Sequence, residues 1–263
     1  MAPLRVLVHG VTGRMGREVV SALCEASDME LVGGVSKRTK TASLSLPKGL
    51  GTVPLSSNME DLLESTSPEA VVDFSNAEGC MNAAVLCLER GTPFVTGSSG
   101  LSEEDLNRLE RKAAERKVGV IVAPNFALGA VLLMSLVRRV APFFDYVDII
   151  ESHHEGKIDA PSGTSLALAR AAAEGREFSS NHPEKQTLPG TRGGEYRGVG
   201  IHSLRQPGRS AHHEVIFGAT GQTLTLRHDT LSRDSYMPGV LRALREVVNL
   251  KGLVLGLDKI LDI

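Results

Sequence analysis

A chain of 263 residues can hold one large domain or two smaller ones, each with its own core. Its 29 Lys and Arg against 31 Asp and Glu leave a net charge of −2 with the signs interspersed, so it shows neither a basic footprint for nucleic acid nor a polybasic patch for a membrane surface. The apolar runs stop short of membrane-spanning length and the opening MAPLRVLVHG enters a strand without a signal-peptide layout, so a soluble, cytoplasmic chain is expected, with an organelle stroma open if a transit peptide was removed.

The first half alternates apolar strands with amphipathic helices, the pattern of a parallel sheet covered on both faces. Strands are predicted at residues 4–9, 30–35, 70–74, 93–96 and 118–122. Helices are predicted around Met15, Val19, Val20 and Leu23, over 81–89, and over 103–116 with Ser102 as cap. Cys24, Cys80 and Cys87 form an odd set without a CxxC pair, which argues against a disulfide framework or a metal site, and Cys80 and Cys87, seven apart on a predicted helix, read as core fillers. The fold class is therefore α/β, a doubly wound parallel-sheet dinucleotide-binding domain. Beyond Asn125 the pattern changes to one long apolar helix over 128–140, a strand over 146–152, a histidine-rich loop and a second helix. A polar excursion over 174–200 follows, then strands at 200–205, 213–217 and 223–227, read as antiparallel, the last two joined through Gly218 to Gly221. A helix over 237–248 is expected to pack on the first domain. The resulting division is 1–126 completed by 237–263, with 127–236 as a second α+β domain carrying a mixed or antiparallel sheet.

The first strand runs directly into Gly10-Val11-Thr12-Gly13-Arg14-Met15-Gly16 and then a helix, the context a dinucleotide-binding turn requires. Thr12 replaces the usual middle glycine, so it is the strand–turn–helix setting that carries the reading. At the end of the second strand an acid would accept from the adenosine ribose of NAD. Here stand Ser36, Lys37 and Arg38, and two cations suit the 2′-phosphate of NADP. NADPH is the expected cofactor with NADH open; a solvated basic turn is the plain alternative.

The stretch ESHHEGKIDAPSGT, Glu151 to Thr164, packs two histidines, a lysine and a helix start into fourteen residues. His153 and His154 can relay a proton near neutral pH, and Lys157 can attract an anion. Ser162, Gly163 and Thr164 should open the helix that follows, where free backbone N–H groups favour a carboxylate. A surface loop before an ordinary capped helix is the bland reading. Metal binding is not expected, because adjacent histidines diverge on an extended chain and no zinc spacing is present.

Together these residues resemble the dihydrodipicolinate reductase (4-hydroxy-tetrahydrodipicolinate reductase) family of the diaminopimelate and lysine pathway. The resemblance rests on Gly10 to Gly16, Asp73-Phe74-Ser75-Asn76, Gly97-Ser98-Ser99-Gly100, Ala123-Pro124-Asn125-Phe126 and the block from Glu151 to Thr164, in the family's order and spacing, with support from 200–205 and 233–239. It implies that Gly10, Val11, Thr12, Gly13, Arg14 and Met15 cradle the pyrophosphate, and that Phe74, Gly97, Ser98, Ser99, Ala123, Pro124, Asn125 and Phe126 line the nicotinamide side. It further implies His153 and Lys157 as catalytic residues, His154, Ser162, Gly163 and Thr164 as holders of a small dicarboxylate substrate, and a homotetramer built through the second domain. This chain departs from the family at Gly97-Ser98-Ser99-Gly100, commonly Gly-Thr-Thr-Gly, and at Ala211-His212-His213, commonly Gly-Glu-His. Two rival readings remain: a related two-domain amino-acid aldehyde or imine dehydrogenase, and a non-catalytic NADP-binding regulator.

Overall fold

A computed structural model describes residues 2–261 and 263. It divides the chain into two units, one running to Ala127 and resuming at Tyr236, the other Leu128–Ser235.

The first unit opens with β1 (Leu4–His9), α1 (Arg14–Glu25), β2 (Met29–Val35), β3 (Ser43–Ser45), β4 (Thr52–Ser56) and α2 (Met59–Thr66). It continues through β5 (Ala70–Asp73), α3 (Ala77–Glu89), β6 (Phe94–Thr96), α4 (Glu103–Arg116) and β7 (Gly119–Val122). Val6, Leu7 and Val8 are all fully buried, as a strand covered on both faces demands. α1 buries Gly16, Val19, Val20 and Leu23, one helical stripe. α4 starts in a capping box between Ser102 and Asp105. α3 begins four residues before its predicted start, because Asn76 accepts from Gly79 N and caps it there. The two-turn α2 and the short β3 and β4 were not predicted; each is too brief to build a periodic signal.

The second unit contains α5 (Leu128–Val140), β8 (Tyr146–His153), α6 (Gly163–Ala172), β9 (Gly194–Tyr196), β10 (Val199–Arg205), β11 (Ala211–Ala219) and β12 (Gln222–Thr230). Its five-stranded mixed sheet has the order β12-β11-β8-β10-β9. Val147, Ile149, Ile201, Val215 and Phe217 pack with Leu133, Val137, Leu168 and the alanines of α6, whose small side chains let the helix lie close. The antiparallel expectation fails for residues 200–205. β10 pairs parallel to β8 and antiparallel only to β9, because β8, α6 and β10 form a crossover unit that returns the chain in the same direction. The β11–β12 connection is tighter than expected, with Ala219 paired to Gln222 across Thr220 and Gly221, so Gly218 belongs to the strand. The polar excursion is not structureless: it contributes β9 and buries Phe178 under the Arg176 guanidinium, 4.5 Å from the ring centre.

α7 (Met237–Val247) and β13 (Gly252–Leu255) then complete the first unit. Its eight-stranded sheet runs β13-β7-β6-β5-β1-β2-β4-β3, all parallel except β3 on β4. β1 is flanked by β5 and β2, so the strand order reverses there, and ligands of such sheets sit at the carboxyl ends beside that reversal. β13 was not predicted: Gly252-Leu253-Val254-Leu255 is four residues long and adds to the edge of β7.

Candidate functional site

Every residue expected on the nucleotide side lies at or just past a strand's carboxyl end in the first unit. After β1, Gly10 adopts φ +79, and a Cβ there would lie 2.6 Å from the Phe74 carbonyl oxygen. Gly10 and Val11 donate their N–H groups to Val35 O at 3.0 and 3.2 Å, and Gly13 N donates to Gly10 O at 2.9 Å. The turn is thereby folded onto the end of β2. α1 starts from Gly13 without a side-chain cap, and Thr12, Gly13 and Arg14 are exposed, so its leading N–H groups face solvent where an anion could sit. Ser36 turns inward: it is 4% exposed and its hydroxyl lies 2.6 Å from Thr12 Oγ1. Only Lys37 and Arg38 of the predicted trio are exposed, with no carboxylate in ion-pair range among the described residues.

The loops after β5, β6 and β7 meet around a carboxylate that sequence reasoning left without a role. Asp73 is fully buried. Its Oδ2 accepts from Thr96 Oγ1 at 2.7 Å and Ser98 Oγ at 2.6 Å, and its Oδ1 accepts from Ser75 N at 3.1 Å. His9 Nδ1 is 2.8 Å from Oδ1 but out of hydrogen-bonding alignment. Burial works against this charge, yet its contacts with His9, Ser75 and Ser98 outweigh burial and hold the carboxyl below the ordinary aspartate pKa. Phe74 and Phe126 pack edge to face at 5.7 Å, and a Cβ on Gly97 would lie 2.3 Å from the Phe74 ring. Ser99 and Pro124 are exposed, Ala123 N donates to Thr96 O, and Asn125 Oδ1 accepts from Ala127 N.

In the second unit the strand register turns an apolar stripe polar at one end. Along β8 the face carrying Val147 and Ile149 continues as Glu151 and His153; along β10 Ile201 continues as Ser203 and Arg205; along β11 Phe217 and Val215 lead to His213. Glu151 pairs with Ser203 on one side and His213 on the other. Its carboxylate is fully buried and gripped by an arginine fork, Arg205 Nη1 to Oε2 at 3.0 Å and Nη2 to Oε1 at 2.8 Å. Ser162 N donates to Oε1 at 3.3 Å, and His153 Nδ1 meets Oε2 in a short hydrogen bond. Burial raises the Glu151 pKa, but Arg205, Ser203 and His153 together bring it below the ordinary glutamate value. For His153 burial dominates and lowers its pKa; Glu151 opposes the shift, while Lys157 and Arg205 add to it. His213 stands edge-on to His153 and its Nε2 is 3.2 Å from Ser162 Oγ. Burial, then the proximity of His153, pushes its pKa down to about 4.

Of the residues expected here, His153 and Ser162 join this cluster. Ser162 is 2% exposed and its hydroxyl accepts from Ser165 N as the α6 cap, so it positions the helix. Gly163 and Thr164 form the first turn of α6, with open space around Gly163. Lys157 pairs with Asp159 at 2.7 Å, and Arg205 Nη2 binds Asp159 O. The His154 side chain is exposed and lies outside the cluster. Glu151, Arg205 and His213 went unassigned because only strand pairing aligns them. Among the described residues no group of His, Cys, Asp and Glu is arranged to hold a metal ion.

Two family models match the chain: dihydrodipicolinate reductase, N-terminus, over residues 4–126, and dihydrodipicolinate reductase, C-terminus, over 129–261. The chain is 43% identical over 263 residues to a 4-hydroxy-tetrahydrodipicolinate reductase of Dehalococcoides mccartyi strain BAV1, covering 100% of both chains. It is 42% identical over 266 residues to that of Moorella thermoacetica, covering 100% of this chain and 99% of the relative. The solved structure of a dipicolinate-bound dihydrodipicolinate reductase from Paenisporosarcina sp. TG-14 superposes with a TM-score of 0.89 at 39% identity, covering 98% of this chain and 99% of that one.

Proposed function

The chain belongs to the dihydrodipicolinate reductase family, and from that premise we propose that it reduces dihydrodipicolinate, formed from 4-hydroxy-tetrahydrodipicolinate, to tetrahydrodipicolinate, with NADPH preferred over NADH. Membership makes it a pyridine-nucleotide-dependent oxidoreductase of diaminopimelate and lysine biosynthesis. The observation that carries the reading of the substrate and its protonation is the cluster of buried Glu151, His153 and His213 with half-buried Arg205, set beside Lys157 and the start of α6.

The first unit fits a dinucleotide. Gly10, Val11, Thr12, Gly13, Arg14 and Met15 would cradle a pyrophosphate, since the turn packs so tightly on backbone at Gly10 and Gly16 that neither tolerates a side chain, and the N–H groups opening α1 are left uncapped. Lys37 and Arg38 are free to meet a 2′-phosphate, and Phe74, Gly97, Ser98, Ser99, Ala123, Pro124, Asn125 and Phe126 would hold the nicotinamide end. When bound, the reduced nicotinamide supplies the hydride.

The second unit supplies charge and the proton. Lys157 and the leading N–H groups of α6, at Gly163 and Thr164, would hold the two carboxylates together with His154, and their positive charge would draw electron density from the carbon that accepts hydride. His153 would then give a proton to the carbanion or enamine left behind. Self-association into a homotetramer through the second unit's sheet belongs to this reading and is checked by light scattering; β12 forms an exposed edge there. So does a cytoplasmic location; among the described residues no helix is long and apolar enough to cross a membrane.

The test is loss of NADPH absorbance on adding freshly made dihydrodipicolinate, compared with aspartate semialdehyde and with oxaloacetate plus ammonia. Turnover with dihydrodipicolinate alone supports the proposal. Turnover with the others would favour an amino-acid aldehyde or imine dehydrogenase, and nucleotide binding without turnover a regulator. A folded variant combining His153→Ala and Lys157→Ala should lose at least roughly 100-fold in kcat with NADPH binding nearly unchanged.

A further inference from the structure

We propose that Glu151 is a positioning residue which, clamped by Arg205, presents His153 in a single tautomer, with Nδ1–H on the carboxylate and Nε2 as the atom that exchanges the proton. The proposal rests on the reading of His153 as proton carrier and adds which nitrogen acts and what fixes it.

Residues 151 and 153 share one face of β8, which puts the carboxylate under the ring. That carboxylate accepts from Arg205 Nη2 and Ser162 N on Oε1 and from Arg205 Nη1 on Oε2, and the Ser203 hydroxyl beside it also favours its ionised form. Surrounded by donors and held ionised by the guanidinium, it can only accept, so the hydrogen in its bond with His153 resides on Nδ1. The neutral ring therefore carries its lone pair on Nε2. His213 meets the same ring from β11, Arg205 comes from β10, and Lys157 with its partner Asp159 comes from the loop. Among these groups Arg205 and Lys157 oppose a second proton on His153, His213 is neutral, and Glu151 is the anion in direct contact that supports it.

The proton balance is simple. Nε2 takes a proton from solvent, giving a ring protonated at both nitrogens. Hydride addition brings an electron pair to the substrate; the Nε2–H bond then breaks as the new carbon–hydrogen bond forms, and the ring returns to neutral with Nδ1–H still on Glu151.

Two measurements decide it. In the chain labelled with 15N-histidine, NMR above the titration of His153 should show Nδ1 protonated and Nε2 bare; a proton on Nε2 overturns the proposal without any variant. In kinetics, Glu151→Gln should move the high-pH limb of kcat down by about one to three pH units, as loss of an adjacent anion demands, with the KM for substrate changed far less than kcat. Glu151→Asp should restore part of the limb's position. A Gln variant that is slower at every pH with its limb in place would mean a purely structural Glu151 and overturn the idea. If His153→Ala turns over normally while the NMR shows the stated tautomer, the proton-carrier reading fails and the tautomer assignment stands.

Discussion

His213 lies directly opposite Glu151 in the β8–β11 ladder, and its ring meets that of His153 edge-on with 5.3 Å between centroids. Two imidazoles that close cannot both be cationic in a buried site without mutual repulsion. Burial settles the matter by keeping His213 neutral, so it packs as an aromatic wall and hydrogen-bonds Ser162, leaving any charge to His153.

That arrangement makes stability depend on pH in a defined window. The folded His213 resists protonation until about pH 4, whereas the unfolded residue titrates near the ordinary histidine value of about 6.5. Between those limits the unfolded state binds the extra proton, so the contribution is present in full above the window and is lost as pH falls through it, in total about 3 kcal/mol. His153 and His228, also shifted down, act in the same sense. Urea unfolding above and within the window should show the loss in the native chain and a smaller one in His213→Gln. Identical slopes would mean that the His213 ring is hydrated.

Arg205→Ala removes both hydrogen bonds of the guanidinium fork from a carboxylate with no solvent exposure. Leaving a buried charge uncompensated costs about 3–5 kcal/mol, and Arg205→Lys should recover only part, because one ammonium cannot hold both oxygens in a plane. Chemical denaturation measures this. A loss within about 0.5 kcal/mol, the range of an ordinary surface change, would show that Glu151 is not ionised in the folded chain.

Local signals made the first unit legible. Its strands and helices announce themselves within continuous segments, and the glycine turn can be placed because β1 precedes it and α1 follows. The second unit's loop was partly legible for the same reason: His153, Lys157 and the start of α6 lie within a dozen residues. Glu151, Arg205 and His213 span more than sixty positions and become one site only through the β8–β10 and β8–β11 registers. Asp73 was visible in a motif, but its task of tying down Ser75, Thr96 and Ser98 appears only once β5 and β6 are side by side. The sequence pattern marks Ser162 as a helix start, and only the structure shows its hydroxyl accepting from Ser165 N.

Two glycines separate packing from function. A Cβ at Gly16 would lie 2.2 Å from Gly10 O and 2.8 Å from Val11 Cα, both backbone atoms that move only if the turn opens. Gly16→Ala should destabilise by about 1–3 kcal/mol and weaken nucleotide binding. A Cβ at Gly163 meets nothing within 4 Å, so Gly163→Ala should leave the unfolding midpoint almost unchanged while raising the substrate KM by shielding the start of α6. A Gly163→Ala enzyme with native KM would remove that helix end from the substrate site.

Coenzyme choice should follow exposure. Ser36 spends its hydroxyl on Thr12 at 2.6 Å, bracing the glycine turn against the end of β2, and only Lys37 and Arg38 remain to meet a 2′-phosphate. Replacing both by alanine should weaken NADPH by roughly tenfold or more, the scale of a lost charge-assisted contact, and leave NADH nearly untouched because its ribose carries no phosphate. Ser36→Ala should behave differently: it loosens the turn that both coenzymes share, so the two affinities should fall together. Fluorescence titration of each variant with both coenzymes distinguishes these patterns. Equal losses of NADPH and NADH in the Lys37→Ala, Arg38→Ala chain would mean that the two cations stabilise the turn itself, and the proposed NADPH preference would lose its support.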